Sequence, residues 1–409
     1  MNIIGISAFY HESLCCLLQD GELVAAVAEE RFTRVKFDRR LPINAFRYCL
    51  EAGGDLNPAD IDCIAYYEQP SKKLSRQLAM GLDASVDPTF RWVDAGRPER
   101  EVRERLGYAG RFLTFEHHLS HAASSFYYSG FDEAAVLTVD GVGEWATTTY
   151  GRGCGAALEL LEEVRFPNSL GLLYSAITDF LGFRVLSDEY KVMGLAPYGV
   201  PRFKEEMATL LRPGPAGQFS LNMEFFDFVQ PARMFTDALP ALLGIPQRVP
   251  ESEITPVHKD IARSLQVVLE EMLLEKVCHL HSVAPSRNLC MAGGVALNCV
   301  AVRRLREEGP FPEVFVQPAA GDSGAALGAA ALAHVELTGE RPSASRLEHV
   351  YLGPAYDSER VAALLDAAAL DAHDHRGAEE ALLEAVVDRL CAQQVIGWFQ
   401  GRMEFGPRA

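Results

Sequence analysis

Apolar residues near the N-terminus fall into three short runs, Asn2–Ser7, Leu14–Gln19 and Leu23–Ala28. Runs of this length bounded by turn residues predict strands. Asp20-Gly21 joins the second and third as a hairpin turn. The first connection, Ala8–Ser13, is polar and carries His11. The layout returns more than a hundred residues later. Ala135–Val139, Ala146–Tyr150 and Ala156–Val164 read as strands, with turns at Asp140–Gly143 and Arg152–Gly155. A strand–turn–strand–turn–strand unit therefore occurs twice. Its period is too long for a solenoid, and the pattern predicts two related halves facing a cleft.

Helical patterns follow each unit. In Asp260–His281 the residues Ile261, Leu265, Val268, Leu269, Met272 and Leu273 recur at three and four, which places them on one helix face. Asn288–Met291 then reads as a strand, Ala292-Gly293-Gly294 as a turn and Val295–Glu308 as a helix. Val314–Gln317 reads as a strand and Gly321–Leu337 as a small-residue helix. This alternation predicts an α/β domain. Pro201–Gly217 reads as an inserted loop, and Gly339–Arg346 as a domain boundary. Beyond it, Asp357–Leu370 and Glu379–Gln394 read as helices and Val395–Gln400 as a strand.

Composition narrows the class. The 409 residues suggest two or three domains at about 150 residues each. With 48% hydrophobic and 23% charged residues, the chain can build sizeable cores. Its net charge of −18 disfavours nucleic acid and anionic membrane surfaces as partners. No run is long and apolar enough for a membrane span, and the N-terminus lacks a signal-peptide pattern. Nine scattered cysteines without a CxxC pair read as reduced thiols, so a cytoplasmic location is expected.

Candidate chemistry concentrates in a few places. In Glu116-His117-His118-Leu119-Ser120-His121, His117 and His121 share a helix face and could bind one divalent metal. The alternative is an ordinary satisfied histidine cluster. Asp140 ends a strand, and Asp322 opens the small-residue helix. Each reads as a ligand or as a simple turn or cap residue. Together the four make an N,N,O,O set suited to iron or zinc. The turns Asp140–Gly143, Gly293-Gly294 and Gly321–Gly324 each follow a strand, and such turns can cradle phosphates. Neither a P-loop nor a GxGxxG is present. Arg31, Arg34, Lys36, Arg39 and Arg40 form a basic cluster, either a solvated loop or an attraction for a phosphorylated substrate. His11 is a candidate acid, base or phosphate ligand, and Lys191 lies in a turn-rich stretch.

The motifs HHLSHAASSFYYSGF (117–131), VDGVGEW (139–145), SDEYKVMGLAPYG (187–199), MAGGVALN (291–298), PAAGDSGAALGAA (318–330) and GRMEFGPRA (401–409) closely resemble carbamoyltransferases of the nodulation-protein-U and cephalosporin/tobramycin carbamoylation type. The resemblance covers essentially the whole chain. It implies an α/β fold of the actin/sugar-kinase/Hsp70 type, close to the threonylcarbamoyl-adenosine transferase, over residues 1–342, with the second half starting near 134. It implies that 343–409 begins a YrdC-like domain, cut short at Ala409, so that the chain retains mainly the transfer half. The implied reaction uses ATP, with Mg(II), and carbamoyl phosphate to make carbamoyl-adenylate, whose carbamoyl group passes to a hydroxyl of a natural-product or sugar acceptor, as in antibiotic biosynthesis. Carried over by motif, His117, His121, Asp140 and Asp322 resemble ligands of Fe(II) or Zn(II). Gly293, Gly294 and Asn298 resemble adenosine contacts, and Gly141 and Gly143 phosphate contacts. His11 and Lys36 resemble groups around the transferred carbamoyl and phosphate. Arg402 and Arg408 resemble phosphate-binding groups of the second domain. A homodimer is also compatible with the resemblance. Two other functions remain open on the residues alone: a small-molecule kinase or ATPase of the same fold, and a nucleotide-binding module without turnover.

Overall fold

The computed structural model describes residues 1–81, 94–229, 233–342 and 346–407. The first half opens with β1 (Asn2–Ser7), β2 (Leu14–Gln19) and β3 (Glu22–Ala28), then α1 (Glu30–Thr33) and α2 (Ile43–Ala52). It continues through β4 (Cys63–Tyr66), α3 (Pro70–Ala79), α4 (Arg97–Leu106), β5 (Arg111–Thr114) and α5 (His117–Phe126). The second half repeats the plan with β6 (Glu133–Val139), β7 (Ala146–Cys154) and β8 (Ala157–Arg165). There follow α6 (Leu170–Phe180), α7 (Glu189–Leu195), α8 (Lys204–Leu210), the short β9 (Leu211–Pro213) and β10 (Phe219–Leu221), and α9 (Ala238–Leu243). Then come α10 (Pro256–Val283), β11 (Asn288–Ala292), α11 (Cys299–Glu308), β12 (Glu313–Val316) and α12 (Asp322–Thr338). The described chain closes with β13 (Tyr351–Ala355), α13 (Ser358–Ala367), α14 (Glu379–Cys391) and β14 (Arg402–Glu404).

The two large sheets have one topology. The first runs β3-β2-β1-β4-β5 and the second β8-β7-β6-β11-β12. In each, the first three strands in sequence are an antiparallel meander; the fourth joins the founding strand in parallel and the fifth joins the fourth in parallel. Parallel pairing needs a crossover, and helices supply it. The duplicated order gives two related halves, as the repeated strand unit predicts, and agrees with the actin/sugar-kinase type that the resemblance implies.

The core divides in two, one cluster per sheet. α5 and α12 bring the halves together. α12 leaves the second sheet and packs on β1, β2 and β4 of the first, while α5 packs on β6 and β11 of the second. Their mutual contact is unusually close because small residues line it. A Cβ on Gly328 would stand 1.8 Å from the Ser120 carbonyl oxygen, and one on Gly5 would stand 2.1 Å from that of Ala326.

Several elements differ from the expectation. Pro201–Gly217 is not a plain loop, because Met207, Leu210 and Leu211 bury themselves in the second core as α8 and β9. The long helix starts earlier, at Pro256, where Thr255 caps it and His258 completes a capping box. The helix after the Gly293-Gly294 turn begins at Cys299, because the Asn298 side chain accepts from the Ala301 N–H and fixes the start there; Gly294–Leu297 is a single 3₁₀ turn. Val395–Gln400 forms no strand. Val395 is 99% exposed, so this apolar run has nothing to pack on. The terminal strand is β14, which pairs with β13. Leu352 of β13 and Phe405, just after β14, are buried in the first core; burying the Phe405 ring contributes about 1.5–3 kcal/mol.

Substituting Val for Gly328 places two methyl groups where the Ser120 carbonyl now sits. The expected outcome is a loss of about 1–3 kcal/mol or more in denaturant unfolding, with separation of Asp322 from the α5 histidines. An unfolding midpoint equal to that of the parent protein would contradict this reading of the contact.

Candidate metal and nucleotide cleft

A cleft of about 900 Å³ opens between the halves. Its walls include His11, Lys36, Arg76, Asp140, Gly141, Gly294, Asn298 and Asp322. Four ligand-type side chains converge at its floor, each delivered by an element end. His117 and His121 lie one turn apart on α5. Asp140 follows the last residue of β6, and Asp322 is the first residue of α12. Their donor atoms all fall within 4.8 Å of one another. His117 Nε2 is 2.9 Å from Asp140 Oδ2 and 3.5 Å from Asp322 Oδ1. The two imidazole Nε2 atoms are 3.0 Å apart, and His121 Nε2 is 3.6 and 3.7 Å from the same two oxygens.

These distances fit a bound cation. Metal–ligand bonds of about 2.0–2.2 Å place neighbouring ligand atoms roughly 3.0–3.6 Å apart in octahedral or tetrahedral geometry. The second oxygen of Asp140 accepts the Gly294 N–H at 2.9 Å, which orients the carboxylate. Two carboxylates and two neutral imidazoles carry a charge of −2, which a divalent ion balances. Burial would lower His121, but hydrogen bonds to Asp140 and Asp322 override it and raise it to about 9. Burial would raise both carboxyls. Instead His117 and His121 hold Asp140 well below the usual carboxylate range, and His117 with His11 hold Asp322 at about 2. A cation entering the site thus competes with a proton held by the same two carboxylates.

The supporting contacts are specific. His118 is pushed down to about 3 by burial and by His117, so it is neutral. Its Nδ1 meets Thr138 Oγ1 at 2.6 Å, pinning α5 to β6. Glu144 accepts the backbone N–H of His117 at 3.0 Å and that of Gln69 at 2.7 Å, so one carboxylate caps both α5 and α3. His11 stands with its Nε2 3.6 Å from Asp322 Oδ2. It is placed there by Glu12, whose Oε1 accepts the N–H and hydroxyl of Ser323 at 2.9 and 2.6 Å. Burial would lower His11, but Asp322 and Glu12 raise it above its usual value.

The remaining sequence candidates divide. Gly141, Gly294 and Asn298 line the cleft. The Asn298 side chain is already engaged, exchanging two hydrogen bonds with Gln266 at 2.9 and 3.0 Å. Gly143 is buried behind the histidines. A Cβ there would meet His117 and His118 at 3.0 Å, and its N–H donates to Ala146. It spaces the histidines and does not face the cleft. Gly293 is likewise buried, with φ +91 and room for a Cβ taken by the Val139 carbonyl at 2.3 Å. Lys36 is at the cleft mouth, 62% exposed, with Nζ 2.9 Å from Glu30. Arg402 lies away from the cleft in β14. Its guanidinium donates to the carbonyls of Val24, Leu352 and Gly353 and to the Tyr48 hydroxyl, so it is spent on holding the terminal strand. Arg408 lies outside the described residues. Of the basic cluster, Arg40 pairs with Asp38 and Arg31 donates to the Gly406 carbonyl. Lys191 pairs with Asp188 at 3.1 Å on α7.

Sequence reasoning missed Glu12, Glu144 and α3. That helix is amphipathic in reverse. It buries Lys73, Arg76 and Gln77 and leaves Leu78 55% exposed. The signal was present as a basic face on a helix with few apolar residues, but a reading based on apolar faces turns it outward.

The fold and cleft define an actin-class protein with a buried two-histidine, two-aspartate centre between its halves. The family described as "Carbamoyltransferase N-terminus" matches residues 2–96 and 99–331, and the chain belongs to that carbamoyltransferase family. Protein sll1178 of Synechocystis sp. is 44% identical over 431 residues, covering 100% of this chain and 69% of the relative. Nodulation protein NolNO of Sinorhizobium fredii is 36% identical over 98% of this chain and 58% of its own length. Nodulation protein NolO of Bradyrhizobium diazoefficiens is 38% identical over 72% and 51%. The chain thus spans between half and about two thirds of the length of these relatives. Among solved structures, HypF of T. kodakarensis aligns over 83% of this chain and 48% of that one, with a TM-score of 0.43 and 14% identity. A ROK hexokinase from Thermus thermophilus aligns over 83% and 100%, with a TM-score of 0.36 and 14% identity. No helix among the described residues is long and apolar enough to cross a membrane.

Metal analysis after reconstitution with Fe²⁺ or Zn²⁺ should find about one equivalent per chain. Asp140→Asn and His121→Ala should each hold under a tenth of that. Saturation at a hundred times Kd should stabilise the parent protein by about 2.7 kcal/mol and leave both variants unmoved. Full occupancy of either variant would contradict the ligand set.

Proposed function

We propose that this chain carries the transfer centre of an ATP-dependent O-carbamoyltransferase. The observation that carries the reading is the convergence of His117, His121, Asp140 and Asp322, with His11 beside them, at the floor of a cleft in a carbamoyltransferase-family chain. In this reading water cleaves carbamoyl phosphate to carbamate and phosphate, and the carbamate oxygen attacks the α-phosphorus of ATP, giving carbamoyl-adenylate and pyrophosphate. The substrate is a mixed anhydride, so its carbonyl is already activated. The acceptor hydroxyl oxygen bonds to the carbamoyl carbon. The bond from that carbon to the phosphate oxygen breaks, and AMP leaves with the electron pair.

A bound divalent ion would supply positive charge against the oxygen on which charge builds. The chain's own residues do the rest. His11 lines the cleft with its Nε2 3.6 Å from Asp322 Oδ2, and in its neutral form the imidazole would take the hydroxyl proton. The Asp140–Gly141 turn and the Gly294 turn bring backbone close to the nucleotide, and Lys36 stands at the mouth where a phosphate enters. The cleft also offers Phe166, Met193, Phe228 and Leu269 as apolar surface for a base or an acceptor.

His11→Ala should slow release of AMP from carbamoyl-adenylate by roughly 10²–10⁴-fold, followed by chromatography with water or a panel of polyols as acceptor. Its affinity for AMP, read by calorimetry, should be unchanged. A rate equal to that of the parent protein would remove His11 from the chemistry. Formation of ADP and a phosphorylated acceptor from ATP would replace the carbamoyl reading with a kinase.

A further inference from the structure

Among the described residues the cleft wall contains four long basic side chains, and three are paired. Lys36 is with Glu30 at 2.9 Å, Lys73 with Glu68 at 2.7 Å, and Arg184 is 3.6 Å from Asp188. The fourth, Arg76, has no carboxylate within salt-bridge distance among the described residues. It is also the most buried of the four, at 7% exposure. Its Nε donates to the backbone carbonyl of Glu144, and among the described residues Nη1 reaches only the Met80 sulfur at 3.5 Å, a weak acceptor. The guanidinium lies 5.6 Å from the centre of the Phe166 ring, another wall residue.

Holding a guanidinium out of water with no carboxylate in direct contact is costly; Glu68 and Glu144 are near enough to favour its charge but lie outside ion-pair distance. Here it sits in a chain of net charge −18, where carboxylates are plentiful. Its fork is fixed at one corner by Glu144, the same residue whose carboxylate caps α5 at His117. The remaining N–H groups are left for whatever occupies the cleft. A planar, always-charged fork is matched by a phosphoryl oxyanion, which it can take through two N–H bonds.

We propose that Arg76 is a phosphoryl-binding residue of the cleft, supplying the counter-charge for the phosphate of a bound nucleotide. This rests on the nucleotide reading of the cleft and names the group that receives the leaving AMP. It moves that role from the exposed, glutamate-paired Lys36 to a buried cation with no ion pair among the described residues. The phosphate of carbamoyl phosphate has the same chemistry, and binding measurements separate the two sources.

Calorimetry on the full chain with adenosine, AMP, carbamoyl phosphate and inorganic phosphate tests this in the parent protein, Arg76→Gln and Arg76→Lys. The parent protein should bind AMP more tightly than adenosine, a result that needs no variant. Arg76→Gln should weaken AMP roughly ten- to hundredfold and leave adenosine unchanged, with Arg76→Lys in between. Loss of carbamoyl phosphate or inorganic phosphate with AMP unchanged would support the site and assign it to the other source. Phosphate binding that depends on Arg76 in a protein that binds no adenosine would sustain the site and sink the nucleotide reading. Three results overturn the proposal: equal affinity of the parent protein for AMP and adenosine without phosphate binding, no effect of Arg76→Gln on any phosphate ligand, or equal loss of adenosine and AMP.

Discussion

The contact between α12 and its two neighbours, α5 and β1, sets the rest of the structure. Helix axes normally stand 8–10 Å apart according to the side chains between them. Glycine at positions 328 and 5 removes those side chains at the two tightest points, and backbone meets backbone. Asp322 begins α12, and His117 and His121 begin α5, so the spacing of the helices is the spacing of the ligand atoms. The carboxylate and imidazoles meet at 3.5–3.7 Å because no Cβ holds the helices apart. Gly293 does the same for the other carboxylate, letting β11 turn beneath Val139 so that Gly294 can orient Asp140.

Electrostatics then explains why such a centre persists. Two aspartates buried side by side repel, and each is costly to desolvate. Here both are held ionised by the buried imidazoles beside them. Neutral His118 contributes no charge and serves as an anchor to β6 through Thr138. The centre is assembled from groups that would be unfavourable singly and are stable only as a set, an arrangement more often found where chemistry is done than where a fold is merely held.

Much of this was legible in the residues. The twice-repeated strand unit gave both meanders to within a residue or two at most ends, because a hairpin turn and short apolar runs are local signals. The His117/His121 pair was legible because four residues make one helical turn. Their meeting with Asp140 and Asp322 was not legible from spacing, since nothing local relates residue 121 to residue 322; family motifs suggested it. Gly143 and Arg402 illustrate the opposite limit. A glycine after a strand and an arginine in a motif have the same one-dimensional signature whether they face a ligand or the protein's own carbonyls. α3 was invisible because its buried face is basic, and only the three-dimensional shortage of partners around Arg76 among the described residues marks it.

The return of α12 to the first sheet also bears on how the chain comes to be folded. The first half ends before residue 130, yet Ala325, Ala326, Leu327, Ala329 and Ala330 belong to its core. Until some two hundred further residues are made and the second sheet has fed its last helix back, β1 and α5 lack the surface they pack against. The contact is of very long sequence separation, the kind whose loop-closure entropy is met late. The first half is therefore a dependent nascent unit. The two carboxylates and two histidines come together only when the chain has closed on itself, so the centre and the completed fold arrive as one event.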